Sequence, residues 1–129
     1  MPLVRISLSK SHSSETQDAI SKSIHQSLIE HFNVPVDDYF HIIEALKQPQ
    51  LKYPKTYLDV AHTDSIVFVQ IIAAKGRTTE QKEKLYSRIA ELVAQNTSIR
   101  TDDVIITLLE NEKDNWSFGQ GAMQSFNHI

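Results

Sequence analysis

The chain has no cysteine and only three glycines among its 129 residues. Disulfides, thiolate metal sites and cysteine nucleophiles are therefore excluded, and no glycine-rich phosphate loop is present. None of the histidines is spaced with an acidic partner as helical metal ligands are, so we expect no metal, and no Ser-His-Asp arrangement can be argued. The six histidines are His12, His25, His31, His41, His62 and His128.

Excess charge and long apolar runs are also missing. Lys plus Arg number 13 and Asp plus Glu 16, a net charge of -3, so nothing in the composition draws nucleic acid or an anionic membrane. The longest apolar run, residues 66–74, is interrupted by Gln70 and is too short to span a bilayer. Because the first residues do not have the layout of a signal peptide, we expect a cytoplasmic protein.

The first half of the chain has the pattern of a strand, a helix and a second strand. Apolar and polar side chains alternate in residues 1–8, which predicts a strand, and residues 39–45 form a second strand-like segment. Between them, Ser14 and Gln17 have the spacing of a capping box. Asn33 and the Val-Pro pair after it predict the end of the helix. Its apolar stripe recurs every fourth residue, at Ile20, Ile24, Leu28 and Phe32.

The second half repeats this order. Residues 66–74 are almost all apolar, as in a strand covered on both faces, and 104–109 form another apolar strand. Thr78 and Gln81 again have the capping-box spacing, before a helical stripe at Leu85, Ile89, Leu92 and Val93. We therefore divide a single domain, residues 1–129, into pseudo-repeats at 1–46 and 64–110, an irregular middle and a tail at 111–129.

The repeats predict an α/β (α+β) fold in which two β-α-β units form one four-stranded sheet with both helices on one face. Each crossover helix should make the strands that it joins parallel. The other face of the sheet would be uncovered, although the strands of the second half are apolar on both sides. We expect other subunits, rather than the short polar tail, to cover it, and so predict an oligomer.

Pro2 is the residue best placed to carry chemistry. Initiator methionine is generally removed before a small residue, and the chain would then begin with a secondary amine at the start of a strand. An α-amino group has an ordinary pKa of about 7.7–8.0, which burial lowers. Such an amine can act as a base or an acid near neutral pH. Many proteins begin with Met-Pro, so this assignment depends on its combination with the strand and the repeat.

Two cations lie beyond the end of the strand at 66–74. Ligands of open α/β sheets bind at the carboxyl ends of strands, and the helix that follows adds positive potential. There Arg77 could hold a carboxylate through two hydrogen bonds, with Lys75 as a point charge. A solvated loop with two charges is the alternative. Asp37 or Asp38 could hold the prolyl ammonium, or both could be loop carboxylates in water.

With these residues in place, the chain resembles the tautomerase superfamily, and most closely its malonate semialdehyde decarboxylase group, over nearly its whole length. The resemblance rests on the initial Met-Pro-Leu and on residues 32–38, 77–86 and 114–119. It implies two β-α-β units in each subunit of a homotrimer, and cofactor-free chemistry on a small carboxylate-bearing substrate.

The same resemblance implies roles for individual residues. Pro2 matches the catalytic amine, Asp38 the acidic residue that supports it, and Arg77 the second of two arginines that bind the substrate carboxylate. Lys75 stands where the decarboxylases have the first of these arginines, and keeps the charge but not the planar fork.

Two aromatic residues match the apolar wall of the family's pocket, and three positions depart from its subgroups. Trp116 and Phe118 form the wall by resemblance, and on chemistry alone would line a pocket, an interface or the core. Gly76 replaces the usual proline of the decarboxylases and Tyr39 an arginine, while Ile29 stands where the dehalogenases have histidine.

We therefore predict an enol–keto tautomerase that acts on a small 2-oxo acid, with Pro2 as the base and then the acid. A malonate semialdehyde-type decarboxylase, in which Pro2 stays protonated, is the second interpretation. A non-catalytic trimeric binding protein is the third, and a retained Met1 would favour it because an acylated proline has no basic amine.

Overall fold

The computed structural model describes residues 1–126, so His128 and the last residues of the tail lie outside the described part. One face of a four-stranded sheet carries two helices, and a two-stranded hairpin stands apart from it. In chain order the elements are β1 (Pro2–Ser9), α1 (Ser14–Phe32), β2 (Phe40–Leu46), β3 (Thr56–Tyr57), β4 (Val60–Ala61), β5 (Val67–Ala74), α2 (Thr79–Asn96) and β6 (Val104–Asn111).

The sheet joins two β-α-β units back to back. Its strand order is β2-β1-β5-β6, with β1 parallel to β2 and β5 parallel to β6, as the crossover helices require. The two units meet through the antiparallel pair β1 and β5, in which Pro2 lies opposite Ala73. The predicted fold class is confirmed, and the pairing places the chain's first residues beside the end of β5.

The core lies between the sheet and the two helices, which pack against each other. Val4, Ile6 and Leu8 of β1 point into it and are fully buried. The helical stripes predicted from the sequence meet them there, and all eight of their members are buried. Alternation along the strands thus sends every second residue to the helices and leaves the others on the opposite face.

That opposite face is only partly covered within one chain. Phe40, Leu3, Ile72 and Leu109 form a row across its four strands, and Phe40 and Leu109 are 47% and 63% exposed. The tail reaches one end of the row, where Phe118 stacks on Phe40. A large apolar area remains in water, as the apolar strands predicted.

Two local predictions need correction. Ser13, not Ser14, caps α1, because its extended backbone lets its hydroxyl accept from the Thr16 amide, while Gln17 donates to the His12 carbonyl instead. The middle of the chain is not wholly irregular, since residues 56–61 form the β3–β4 hairpin. Within the described residues, neither helix is long and apolar enough to cross a membrane.

Candidate active site

The turn after α1 brings a carboxylate to the beginning of the chain. Asn33 ends the helix in the left-handed conformation, with φ of 55°, and its amide donates to the Leu28 carbonyl. A turn follows, in which the Asp38 amide donates to the Pro35 carbonyl over 3.0 Å. Asp38 is thereby buried beside the first residue of the chain, whereas Asp37 stays exposed.

The terminal amine and Asp38 form a buried ion pair. The Met1 nitrogen lies 3.1 Å from Asp38 Oδ2, and Met1 and Pro2 are both buried. Burial lowers the pKa of this amine, and the positive charge of Arg77 lowers it further, whereas the hydrogen bond and charge of Asp38 raise it. The start of the chain is therefore an environment in which an amine is more easily deprotonated than in water.

A cavity of about 360 Å³ opens beside this ion pair. Its wall is mostly apolar, with Asp37 and Asp38 as its acidic groups. The complete lining is Met1, Pro35, Asp37, Asp38, Phe40, Phe118, Gln124, Ser125 and Phe126. A carboxylate and an amine at the wall of an apolar cavity form an arrangement suited to proton transfer out of bulk water.

The aromatic part of the wall is a stack of rings. Phe118 lies between Phe40 and Trp116, with ring centroids 5.6 Å and 5.4 Å away, and Phe126 meets it edge-on at 6.0 Å. The Trp116 indole donates to Asn111 Oδ1 over 2.8 Å, which fixes its plane. Phe118 therefore lines the cavity directly, while Trp116 supports it from behind.

Arg77 is a buried cation held by the backbone. Its Nη1 donates to the Ala74 carbonyl and its Nη2 to the Phe32 carbonyl, over 3.0 Å and 2.9 Å, and its guanidinium lies over the Phe32 ring. Burial lowers its pKa to about 10, against the opposing charges of Glu110 and Asp38. Because a guanidinium has five N–H donors, these two bonds leave others for a substrate carboxylate.

Lys75 has a different setting. Its ammonium is exposed and lies 2.6 Å from Glu112 Oε1, and that pairing raises its pKa. The residues that line the cavity beside the amine include neither Lys75 nor Arg77. The structure thus brings the Met1 amine, Asp38 and Phe118 together at the cavity, with Pro2 buried next to Met1 but not in the lining. Arg77 is close enough to act on the amine by charge, and Lys75 is turned toward solvent.

Several lining residues, Phe40, Gln124 and Phe126 among them, were missed as site residues by the sequence analysis. Phe40 was treated only as a strand residue, although its register opposite Leu3 places it on the open face near the chain's start. Gln124 holds the tail loop, because it accepts from the Phe118 amide and donates to the Gly119 carbonyl. No periodic pattern marks Gln124 or Phe126, since both lie in irregular structure.

The remaining titratable groups give no metal centre. No three His, Asp or Glu side chains within residues 1–126 gather as ligands would. His25 and His41 do meet, with ring centroids 6.1 Å apart, in a groove between α1 and β2. This groove is separate from the cavity beside the amine, although Val36 and Tyr39 of the groove belong to the same turn as Asp38.

The fold and the amine-bearing cavity together define the tautomerase class of proteins. Models of the family described as "Tautomerase enzyme" match residues 38–119 and 2–48. The chain is 40% identical over 124 residues to "Probable tautomerase YusQ" of Bacillus subtilis (strain 168), covering 96% of this chain and 98% of that one.

Solved structures of the same superfamily have the same fold as this chain. FG41 malonate semialdehyde decarboxylase, inhibited by 3-bromopropiolate, has a TM-score of 0.89 and 31% identity, covering 95% of this chain and 92% of its own. A fused 4-OT solved as a symmetric trimer has a TM-score of 0.77 at 17% identity, covering 93% and 94%. The chain belongs to the tautomerase superfamily, in its malonate semialdehyde decarboxylase-like group.

Proposed function

We propose that this tautomerase-family enzyme interconverts the enol and keto forms of a small 2-oxo acid, with Pro2 as its general base and acid and without a cofactor. The observation that carries the proposal is the buried terminal amine of Met1, just before β1, which lies 3.1 Å from Asp38 Oδ2 at the wall of the apolar cavity. The proposal requires removal of Met1, which makes the neighbouring Pro2 the terminal amine.

The reaction needs one group that takes a proton and returns it. The neutral Pro2 nitrogen accepts the enol O–H proton, and the oxygen electron pair forms the carbonyl. The electrons of the C=C bond then take the proton back from the Pro2 ammonium at C3. Nothing is oxidised or reduced, and the enzyme ends as it began. Burial supports this role, because it lowers the pKa of an amine at this end of the chain.

Arg77 and Asp38 have separate parts in this proposal. The positive charge of Arg77 stabilises the negative charge that develops on the substrate oxygen. Arg77 does not line the cavity, so it binds the substrate carboxylate only if one of its remaining N–H groups turns toward the substrate. Asp38 orients the ammonium after the first transfer. Lys75 assists only if its exposed ammonium leaves Glu112. Phe118, with Trp116 behind it, keeps water from the amine.

The direct test is ketonisation of phenylenolpyruvate by protein whose intact mass shows that Met1 is absent. Pro2→Ala should lower kcat/KM, because it replaces the rigid secondary amine by a mobile primary one. A matched control keeps every residue but leaves an N-terminal extension that acylates Pro2, and it should be inactive. Equal activity of the three proteins contradicts the role of Pro2. No activity in any of them contradicts the tautomerase and leaves the decarboxylase and the non-catalytic binding protein.

A second candidate is decarboxylation of a 3-oxo acid such as malonate semialdehyde. The 31% identity to FG41 malonate semialdehyde decarboxylase over most of both chains favours it. In that reaction Pro2 stays protonated and polarises the carbonyl, or forms an imine. The pKa of Pro2, measured by 15N NMR, separates the two: below neutral it favours the base, and above neutral the acid. Borohydride trapping with malonate semialdehyde tests the imine.

We also propose a homotrimer. The partly exposed apolar row at Phe40, Leu3, Ile72 and Leu109 supports it, as does the trimeric fused 4-OT with the same fold. Light scattering after size exclusion should give a mass about three times that of the 14.7 kDa chain.

A further inference from the structure

The β3–β4 hairpin presents an apolar tip to solvent. Tyr57 and Leu58 are 62% and 81% exposed. Leu58 and Asp59 form the turn with φ of 49° and 64°, a conformation usually taken by Asn-Gly and strained for a leucine. Strain and apolar exposure at one point both cost free energy, which favours a role for this tip outside its own chain.

The hairpin is held firmly at one edge of the sheet. Arg100, just before β6, donates to the Ala61 carbonyl over 3.1 Å. The buried Asp103 accepts from both the amide and the hydroxyl of Thr63, the next turn along. The tip therefore stands at the β6 edge as a preorganised projection, and a partner would not need to order it on binding.

A groove of about 410 Å³ lies at the opposite edge, between α1 and β2. Ile29, Val36 and Tyr39 give it an apolar wall, and Val36 and Tyr39 are largely exposed. β2 pairs only with β1 among the described residues, so its outer edge has unsatisfied backbone groups. Four strands separate this groove from the hairpin, so the two belong to opposite sides of the molecule.

The floor of the groove lacks hydrogen-bond partners. His25 Nε2 donates to the Val36 carbonyl over 2.8 Å, because a carbonyl oxygen can only accept. His25 Nδ1 and His41 Nε2 are both buried and have no partner within residues 1–126. Because both nitrogens are shielded from solvent in the single chain, a partner's contact with this groove rests on its apolar wall and its charges rather than on these two atoms.

The groove and the hairpin tip also carry charged side chains of both signs. Asp18 and Lys22 stand at the groove, one helical turn apart, and both are exposed. Lys55 and Asp59 flank the hairpin tip and are exposed as well. None of the four forms an ion pair with another described residue, so each charge has a free counterpart on the other surface.

We propose that the β3–β4 hairpin of one copy of this chain docks in the α1–β2 groove of a second copy. Because the hairpin and the groove are different surfaces, the contact is heterologous, and each copy offers both halves. In the proposed homotrimer, three such contacts form a closed ring. The interface rests on the proposed homotrimer and names the surfaces that build it. It is independent of the chemistry at Pro2.

The absence of cysteine allows a direct cross-linking test. Leu58→Cys and Val36→Cys proteins are mixed and treated with a short bis-maleimide. The mixture should give a covalent dimer that neither protein gives alone, and the double variant should give covalent trimer. Met123→Cys, also at an exposed apolar residue, is the control partner for Val36→Cys and should not cross-link.

A second pair of variants measures how much the hairpin tip contributes to assembly of the trimer. Leu58→Asp should reduce the mass in solution to that of one 14.7 kDa chain with an unchanged far-UV CD spectrum, whereas Met123→Asp should leave the trimer intact. A wild-type trimer that neither cross-links through these positions nor dissociates with Leu58→Asp overturns the docking while the trimer stands. A monomeric wild type overturns both. Loss or survival of enol ketonisation bears on neither result.

Discussion

Single residues set the chemistry of the cavity, and Asp38 shows how. Its carboxylate raises the pKa of the terminal amine, against the lowering by burial and by Arg77. Removal of that charge by Asp38→Asn should therefore lower the pKa of the amine. A base works only when neutral, so the acid limb of kcat/KM for ketonisation should move to lower pH.

The control for this prediction is the neighbouring carboxylate. Asp37 lines the cavity but is exposed and forms no ion pair with the amine in the described chain. Asp37→Asn should leave the acid limb in place. An acid limb that moves to higher pH in Asp38→Asn, or moves equally in both variants, would show that Asp38 does not control the protonation of the amine.

Arg77 and Lys75 are two residues apart in the sequence, but they should contribute very differently to the stability of the fold. Arg77→Gln removes two charged hydrogen bonds to the Ala74 and Phe32 carbonyls and should lower the free energy of unfolding by roughly 2–4 kcal/mol. Lys75→Gln breaks only an exposed pair with Glu112 and should leave the urea midpoint unchanged. Similar losses in both variants would contradict the buried role of Arg77.

The positions of some of these side chains could be predicted from the sequence and others could not, depending on which groups they contact. The pairing of the amine with Asp38 could be predicted from the family resemblance. In the structure it arises because α1 ends and a turn returns the chain to the start of β1. The orientation of Arg77 could not be read from spacing, since its partners are backbone carbonyls of two separate elements. Charge and spacing alone do not distinguish a buried guanidinium from a solvated one.

Secondary structure elements follow the sequence pattern more closely than side chains do. The apolar stripes of α1 and α2 fix which face is buried, and the Thr78–Gln81 capping box is present as predicted, with both reciprocal bonds. At α1 the spacing to Gln17 predicted Ser14 as the cap, whereas the backbone conformation selects the preceding Ser13. The β3–β4 hairpin was missed because its turn, Leu58-Asp59, lacks the glycine that usually marks a two-residue hairpin turn.

A pair of alanine substitutions tests which serine caps α1. Ser13→Ala removes the acceptor for the Thr16 amide and should lower the free energy of unfolding by about 1 kcal/mol. Ser14, the first helical residue, is exposed, so Ser14→Ala should change stability by less than about 0.5 kcal/mol. Urea denaturation of both variants decides, and the reverse ranking would restore the cap that the sequence alone predicted.

At the scale of the whole molecule, the two faces of the sheet have different structural roles. One face is the core, which the pattern of residues determines almost completely. The other face combines an apolar row, the aromatic wall and a tail that covers only one end. The sequence predicted that this face needs cover, but not which surfaces supply it, because contacts between chains leave no period along one chain.

Global stability should also depend on pH through the groove between α1 and β2. Burial, with a smaller contribution from the charge of His25, lowers the pKa of His41 from 6.5 to about 4, so the folded ring stays neutral where the unfolded ring binds a proton. Above pH 6.5 the ring is neutral in both states, so His41 does not change the free energy of unfolding. As the pH falls from 6.5 toward 4, the unfolded state binds a proton that the folded state does not, and the free energy of unfolding decreases. Allowing for partial exposure, the loss should be on the order of 1–2 kcal/mol.

Urea unfolding at fixed protein concentration, at pH 7 and pH 4.5, measures this dependence. His41→Gln cannot bind the proton in either state, so its loss of stability between the two pH values should be smaller than that of the wild type. His62→Gln, at the hairpin on the other edge of the sheet, should keep the wild-type dependence. If His41→Gln loses as much as the wild type, another group governs the acid sensitivity, and His41 is not held neutral by its burial against α1.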